Sequence, residues 1–196
     1  ASARYALPNS LAAGQPRTIM PSHFVVPLKH LRIVEPDALE MQAAQDWLDY
    51  WRALCKRAPD GVARRSDLDL IRDRPHLARL AVWVEVLNGD YRFILAGEDV
   101  RWLFGRSIKD LRLSEIRFTD FTETTWQQYD TAVATRRPCC SVGSYQFSGQ
   151  SSYRVGGTVT DREIVMLPFV NADGAIDRLL AGMAFDTPET RSLNVT

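Results

Sequence analysis

"EIVMLPFVNADGAIDRLLAGMAFD", residues 163–186, sets two apolar runs on either side of a polar turn. The runs distribute their apolar residues differently, and the difference places each strand. Ile164 to Leu167 is unbroken, the pattern of a strand covered on both faces. In the second run Leu179, Ala181, Met183 and Phe185 fall on one face, while Leu180, Gly182 and Ala184 make the other face small toward its end. One face is therefore expected to pack and the other to be closely approached. Between the runs, Asn171, Asp173 and Gly174 are residues that cap their own turns or accept positive φ. The stretch predicts a β-hairpin.

Working back from it, "CCSVGSYQFS" from Cys139 reads as a further strand, followed by a Ser/Gly-rich loop. "DFTETTWQQYDTAVATRRP" predicts a helix: Asp120 and Glu123 have capping-box spacing, Trp126, Tyr129 and Val133 line one face, and Pro138 follows. "LARLAVWVEVL" and "DYRFILAG" flank Asn88 and Gly89 and predict two strands joined by a tight turn. After them, "GEDVRWLFGR" supplies a short helix with Val100, Leu103 and Phe104 on a face, and "SIKDLRLSEI" a helical turn. "PDALEMQAAQDWLDYWRALCKR", residues 36–57, repeats Met41, Ala44, Trp47, Leu48, Trp51, Leu54 and Cys55 at helical spacing. Its acids lie near the start and its bases near the end, as the helix dipole favours.

The order is helix, two strands, short helices, a longer helix, three strands. It lacks the strict alternation of a doubly wound fold. The expected class is α+β, an antiparallel sheet with its helices on one face. The expected divisions are an extended, proline-interrupted arm at 1–36, a leader helix and connection at 37–78, a core at 79–186 and a tail at 187–196.

Charge narrows the partners. Lys and Arg total 24 against 24 Asp and Glu, so no global field draws the chain to nucleic acid or an anionic membrane. No stretch approaches a membrane span and no signal peptide opens the chain, so a soluble, cytoplasmic protein is expected. Cys55, Cys139 and Cys140 offer neither a disulfide framework nor zinc-ligand spacing. They read as small buried side chains, although Arg136 and Arg137 beside Cys139 would suit a redox switch by lowering a thiol pKa.

At this level the chain resembles a PAS domain, and more narrowly an alphaproteobacterial single-PAS subfamily with a Trp-containing N-terminal leader helix. "LDYWRAL" resembles the leader helix and "RPHLARLAVWVEV" the start of the first strand. "YRFILAG" with "VRWLFGR" resembles the second strand and first short helix, "RRPCC" the start of the third strand and "LPFVNADGAIDRLLAGM" the closing hairpin. The resemblance covers about residues 38 to 186. Ile94 stands where the family pattern has an Arg, and Asp110 near a Gly. The resemblance implies a five-stranded antiparallel sheet with helices over one face, enclosing a small cavity that senses ligands or packs against partners.

The candidate cavity residues are Phe93, Leu103, Trp126, Tyr129, Tyr145, Met166 and Met183, with Trp83 on the margin. An unidentified small apolar molecule is the ligand they would suit. Haem is unsupported, because His23, His30 and His76 lie off the long helix, and flavin photochemistry is unsupported, because Cys139 and Cys140 open a strand. No catalytic or metal-ligating set emerges. Asp161 with Glu163, and Glu98 with Asp99, read as solvated acids. Trp47, Leu48, Trp51 and Leu54 form a face too apolar to leave wet, so it docks on the chain's own core or forms a homodimer or partner interface. With only a short tail after the hairpin, the output is expected to be contact with an unknown signalling protein. The reading is a non-enzymatic regulatory module. The alternative is a small enzyme or ligand carrier on a cone-shaped α+β fold, which a buried His76, Asp161 or Glu85 opening onto a cavity would favour.

Overall fold

The computed structural model describes residues 25–103, 107–116, 122–147 and 159–185. In chain order the elements are β1 (Val25–Val34), α1 (Gln42–Arg57), α2 (Leu70–Asp73), α3 (Pro75–Ala78), β2 (Ala81–Leu87) and β3 (Asp90–Ala96). They continue with α4 (Glu98–Leu103), α5 (Thr122–Thr135), β4 (Cys139–Phe147), β5 (Val159–Val170) and β6 (Ile176–Phe185).

The hairpin forms as the alternation requires. In the β5–β6 ladder Ile164 faces Met183, Met166 faces Ala181, and Leu167 faces Leu180. Ile164 and Met166 pack on one side of the sheet with Leu179 and Ala181. Val165 and Leu167 pack on the other side with Leu180 and Ala184. The unbroken run is thus buried on both faces. In the turn, Asn171 Oδ1 accepts from the N–H groups of Asp173 and Ala175 at 2.9 and 3.1 Å, and Gly174 takes a φ of 79°. That is the self-capping an Asn favours.

Among the described residues six strands form one sheet in the order β1-β4-β5-β6-β2-β3, and every strand pair is antiparallel. Five of them, β2 to β6, are the expected sheet. The sixth lies inside the expected arm: β1 pairs with β4, with Pro27 opposite Tyr145 and Val34 opposite Cys140. An edge strand tolerates Pro27 because its missing N–H breaks no interior ladder. The other edge is covered too, since Phe93 N–H donates to Leu111 O and Asp110 N–H to Phe93 O. Asp110 reaches that position at a φ of 66°, the left-handed region that glycine enters at least cost. The other arm residues, 1–24, and the tail lie outside the described residues.

The helices do not all lie on one face. α5 covers the inner face, with Tyr129 and Ala132 buried against Met166 and Ala181. α1 covers the outer face, with Trp47, Leu48, Trp51 and Leu54 buried against Leu167, Phe169 and Leu180. The small side of β6 makes this possible: a Cβ on Gly182 would lie 2.4 Å from Cγ and Cδ2 of Trp47. The close approach expected of that face is made by the leader helix itself.

Candidate functional site

The inner face is built by alternate residues of β2, β3, β5 and β6 under α5. Phe93, Trp126, Tyr129, Met166 and Met183 gather in this one core, joined by Tyr91. Tyr91 meets Tyr129 edge-on at 4.8 Å between ring centroids and Trp126 at 5.6 Å. Its hydroxyl donates to Asp130 Oδ1 at 2.5 Å. Burial raises the Tyr91 pKa, and the Asp130 carboxylate adds to the effect. Burial also raises that of Tyr129, against the opposing charge of Arg162. The backbone of Leu103 ends α4 and that of Tyr145 sits in β4, but their side chains lie outside what is described. Trp83 belongs to the other side, where it meets Phe169 edge-on at 5.3 Å.

One polar clamp crosses the inner core. Gln128, fully buried on α5, donates from Nε2 to Cys139 O at 2.9 Å and Ile164 O at 3.2 Å. Its Oε1 accepts from Ser141 Oγ at 3.0 Å. The helix is thereby fastened to β4 and β5 at one point, and every atom of the amide is used. Its place between Trp126 and Tyr129 on the buried side of the helix was the available signal.

On the outer face Trp51 Nε1 donates to Pro168 O at 2.8 Å, and Trp47 Nε1 to Met183 O at 3.4 Å. Glu163, only 5% exposed, accepts from Glu40 N–H at 2.8 Å on Oε1 and from Met41 N–H at 3.0 Å on Oε2. A carboxylate at the start of a helix satisfies donors that have no intrahelical partner and complements the dipole. Glu163 is thus a buried anchor, not the solvated acid expected. The dimer-seam reading of Trp47, Leu48, Trp51 and Leu54 gives way to the intramolecular one, because the chain's own sheet occupies that face.

Burial pushes the Cys139 thiol up to about 11 and the Cys140 thiol up to about 12. That is the reverse of what a redox switch requires. The groups that would favour an enzyme are not gathered on the inner face. His76 is an exposed residue beside Asp46, and Asp161 is an exposed acceptor for Ser144 Oγ at 2.6 Å. Glu85 pairs with Arg178 at 3.0 Å and with Arg92. Among the described residues no three His, Cys, Asp or Glu side chains are grouped to hold a metal, and no helix is long and apolar enough to cross a membrane.

A family model described as PAS domain matches residues 39–184. No curated protein matches the chain. Among solved structures, a light-oxygen-voltage domain studied with a flavin analogue has a TM-score of 0.42 and 10% identity, over 65% of this chain and 91% of that one. A sensory box sensor histidine kinase from Vibrio cholerae has a TM-score of 0.35 and 17% identity, over 58% of this chain and 88% of that one. An RNA-binding light-oxygen-voltage receptor has a TM-score of 0.39 and 12% identity, over 84% of this chain but 38% of that one.

Proposed function

The chain belongs to the PAS domain family, and from that premise we propose that it is a non-enzymatic sensory and regulatory module that acts by contact with a signalling protein. Its inner core is the proposed seat of a small apolar ligand that is neither haem nor flavin. The observation that carries this reading is the two-sidedness of β5. Ile164 and Met166 face the inner core under α5, while Glu163, Val165 and Leu167 hold α1 on the outer face. A change of packing inside moves the strand to which the leader helix is fastened. A ligand can bias this arrangement only by as much as its affinity differs between the docked and undocked states.

The family match begins at Leu39, ahead of α1, which supports placing the chain in the subfamily with a Trp-bearing leader helix. His76 and Asp161 are exposed and Glu85 is paired with Arg178, which supports a binding role over turnover. A cytoplasmic location belongs to the same proposal. So does a homodimer, now placed away from Trp47, at the outer side of β3 where Leu95 is 61% exposed. Sedimentation of Leu95→Glu tests that contact: a shift toward monomer is expected, and an unchanged mass excludes it.

Native mass spectrometry and hydrogen exchange test the module itself. The expected result is a small molecule retained by gently purified protein, whose removal speeds exchange over residues 42–57. Exchange there that is indifferent to the occupancy of the core would overturn the proposal.

A further inference from the structure

Strand β3 ends the sheet, and its outward edge at Phe93 is closed by a strap of the same chain, residues 108–113. Phe93 N–H donates to Leu111 O at 2.9 Å, and Phe93 O accepts from Asp110 N–H at 2.7 Å. The strap is anchored on both sides of this contact. Ile108 and Leu113 are buried in the inner core, and the next residue, Ser114, donates from Oγ to Asp90 Oδ2 at 2.7 Å. Between the anchors, the contact with the edge is made at a disadvantage on two independent counts. Asp110 holds a φ of 66°, a conformation that costs any residue but glycine. Arg112 forms an antiparallel bridge with Arg92. The two lie just outside the Phe93–Leu111 bond, the setting in which paired side chains come closest, and like charges so placed repel. Acid is scarce around them. Glu85 is shared between Arg92 and Arg178, and Glu115 accepts from the backbone N–H of Arg112 at 2.7 Å.

We propose that this strap stands in for a partner: the β3 edge at Phe93 receives an extended segment of another protein that sets an acid opposite Arg92, and Asp110 to Arg112 withhold the edge until that segment displaces them. A strand edge that presents an N–H and a C=O is a ready template for strand addition. The main-chain bonds given up by the strap are remade by the incoming segment, so side chains decide the exchange. There an acid replaces a like-charge pair with an opposite one, and the incoming strand needs no left-handed residue. The anchors at Ile108, Leu113 and Ser114 stay in place, and the inner core stays closed. The chain's other edge strand, β1, carries Lys29 and Arg32 and no acid, so it is not that segment. The inference rests on the reading of the chain as a contact module and names the kind of segment it contacts.

Titration of the full chain with the end-blocked peptide Val-Thr-Glu-Thr-Val tests it, read at the Phe93 amide by nuclear magnetic resonance, with a peptide carrying Lys in place of Glu as the counterpart. The Glu peptide is expected to bind about fivefold more tightly than the Lys peptide, the worth of a cross-strand charge pair. Arg112→Glu offers Arg92 an acid from within the chain. It should weaken the Glu peptide by a similar factor and, without peptide, slow hydrogen exchange at the Phe93 and Asp110 amides. Arg112 is exposed, so this variant leaves the core intact. Equal binding of the two peptides, silence from both, or binding and exchange indifferent to Arg112→Glu would overturn the inference. None of these results touches the exchange of residues 42–57, on which the contact module itself stands or falls.

Discussion

Replacing Gly182 by Ala adds one methyl group at the point where the sheet and the leader helix come closest. That methyl would sit 2.4 Å from two atoms of the Trp47 indole, where ordinary contact begins at 3.4 Å. Trp47 is wholly buried among α1 and the outer strands, so the helix must lift as a unit. Overpacking of this kind costs about 1 to 3 kcal/mol, against which Ala recovers roughly 0.5 to 1 kcal/mol of chain entropy. A net loss of about 1 to 2 kcal/mol is expected, a fall in Tm of about 2 to 8 °C for a chain this long. Urea denaturation followed by circular dichroism reads it directly. The decisive arm is a double-mutant cycle. Trp47→Ala alone should cost about 3 to 5 kcal/mol, and in that background Gly182→Ala should become neutral or stabilising, because the methyl now has room. If Gly182→Ala costs the same in both backgrounds, Trp47 is not what it meets, and the account of α1 docking fails.

Glu163→Gln should cost about 1 to 3 kcal/mol, because an amide can accept from only one side and leaves the Glu40 or Met41 N–H unserved. Faster hydrogen exchange at those two amides would show it, and unchanged exchange would refute the anchor. The buried thiols of Cys139 and Cys140 titrate near 11 and 12, above an ordinary value of 9, so the unfolded chain gives up these protons first. Their contribution to stability is complete below about pH 9 and is lost as pH rises toward 12. Thiol labelling at pH 8 should therefore wait on unfolding at these two sites, and their rapid modification in the native state would contradict the burial. Asp110 holds a φ of 66°, so Asp110→Gly should be neutral or stabilising by up to about 1 kcal/mol while Asp110→Ala loses about 1 kcal/mol. Equal melting temperatures of the two variants would count against the left-handed backbone.

Local patterns in the sequence carried much of this fold. The alternation of Leu179, Ala181 and Met183 against Leu180, Gly182 and Ala184 told which side of β6 packs inward and which side is closely approached. The spacing of Trp47, Leu48, Trp51 and Leu54 told that α1 buries a face, but not in what, because a helical stripe fits a sheet of its own chain as well as that of a second copy. Strand β1 was hidden because Pro27, one of the prolines of 1–36, read as interrupting an extended arm, whereas at a sheet edge a missing N–H is tolerated. Phe93, Trp126, Tyr129, Met166 and Met183 were legible as core by size and phase. Glu163 was not, since burial of a polar side chain depends on its partners, and these lie far along the chain. Glu163 is bound by residues more than 120 positions away.

One hairpin separates the inner core from a leader helix docked on the same chain. Nuclear Overhauser contacts between the Trp47 indole protons and the Gly182 Hα protons test it most directly, recorded in uniformly labelled protein and in a mixture of labelled and unlabelled chains. The contacts should appear within a single chain, persist on dilution and shift Gly182 upfield under the ring. Contacts seen only between differently labelled chains, or not at all, would contradict the claim.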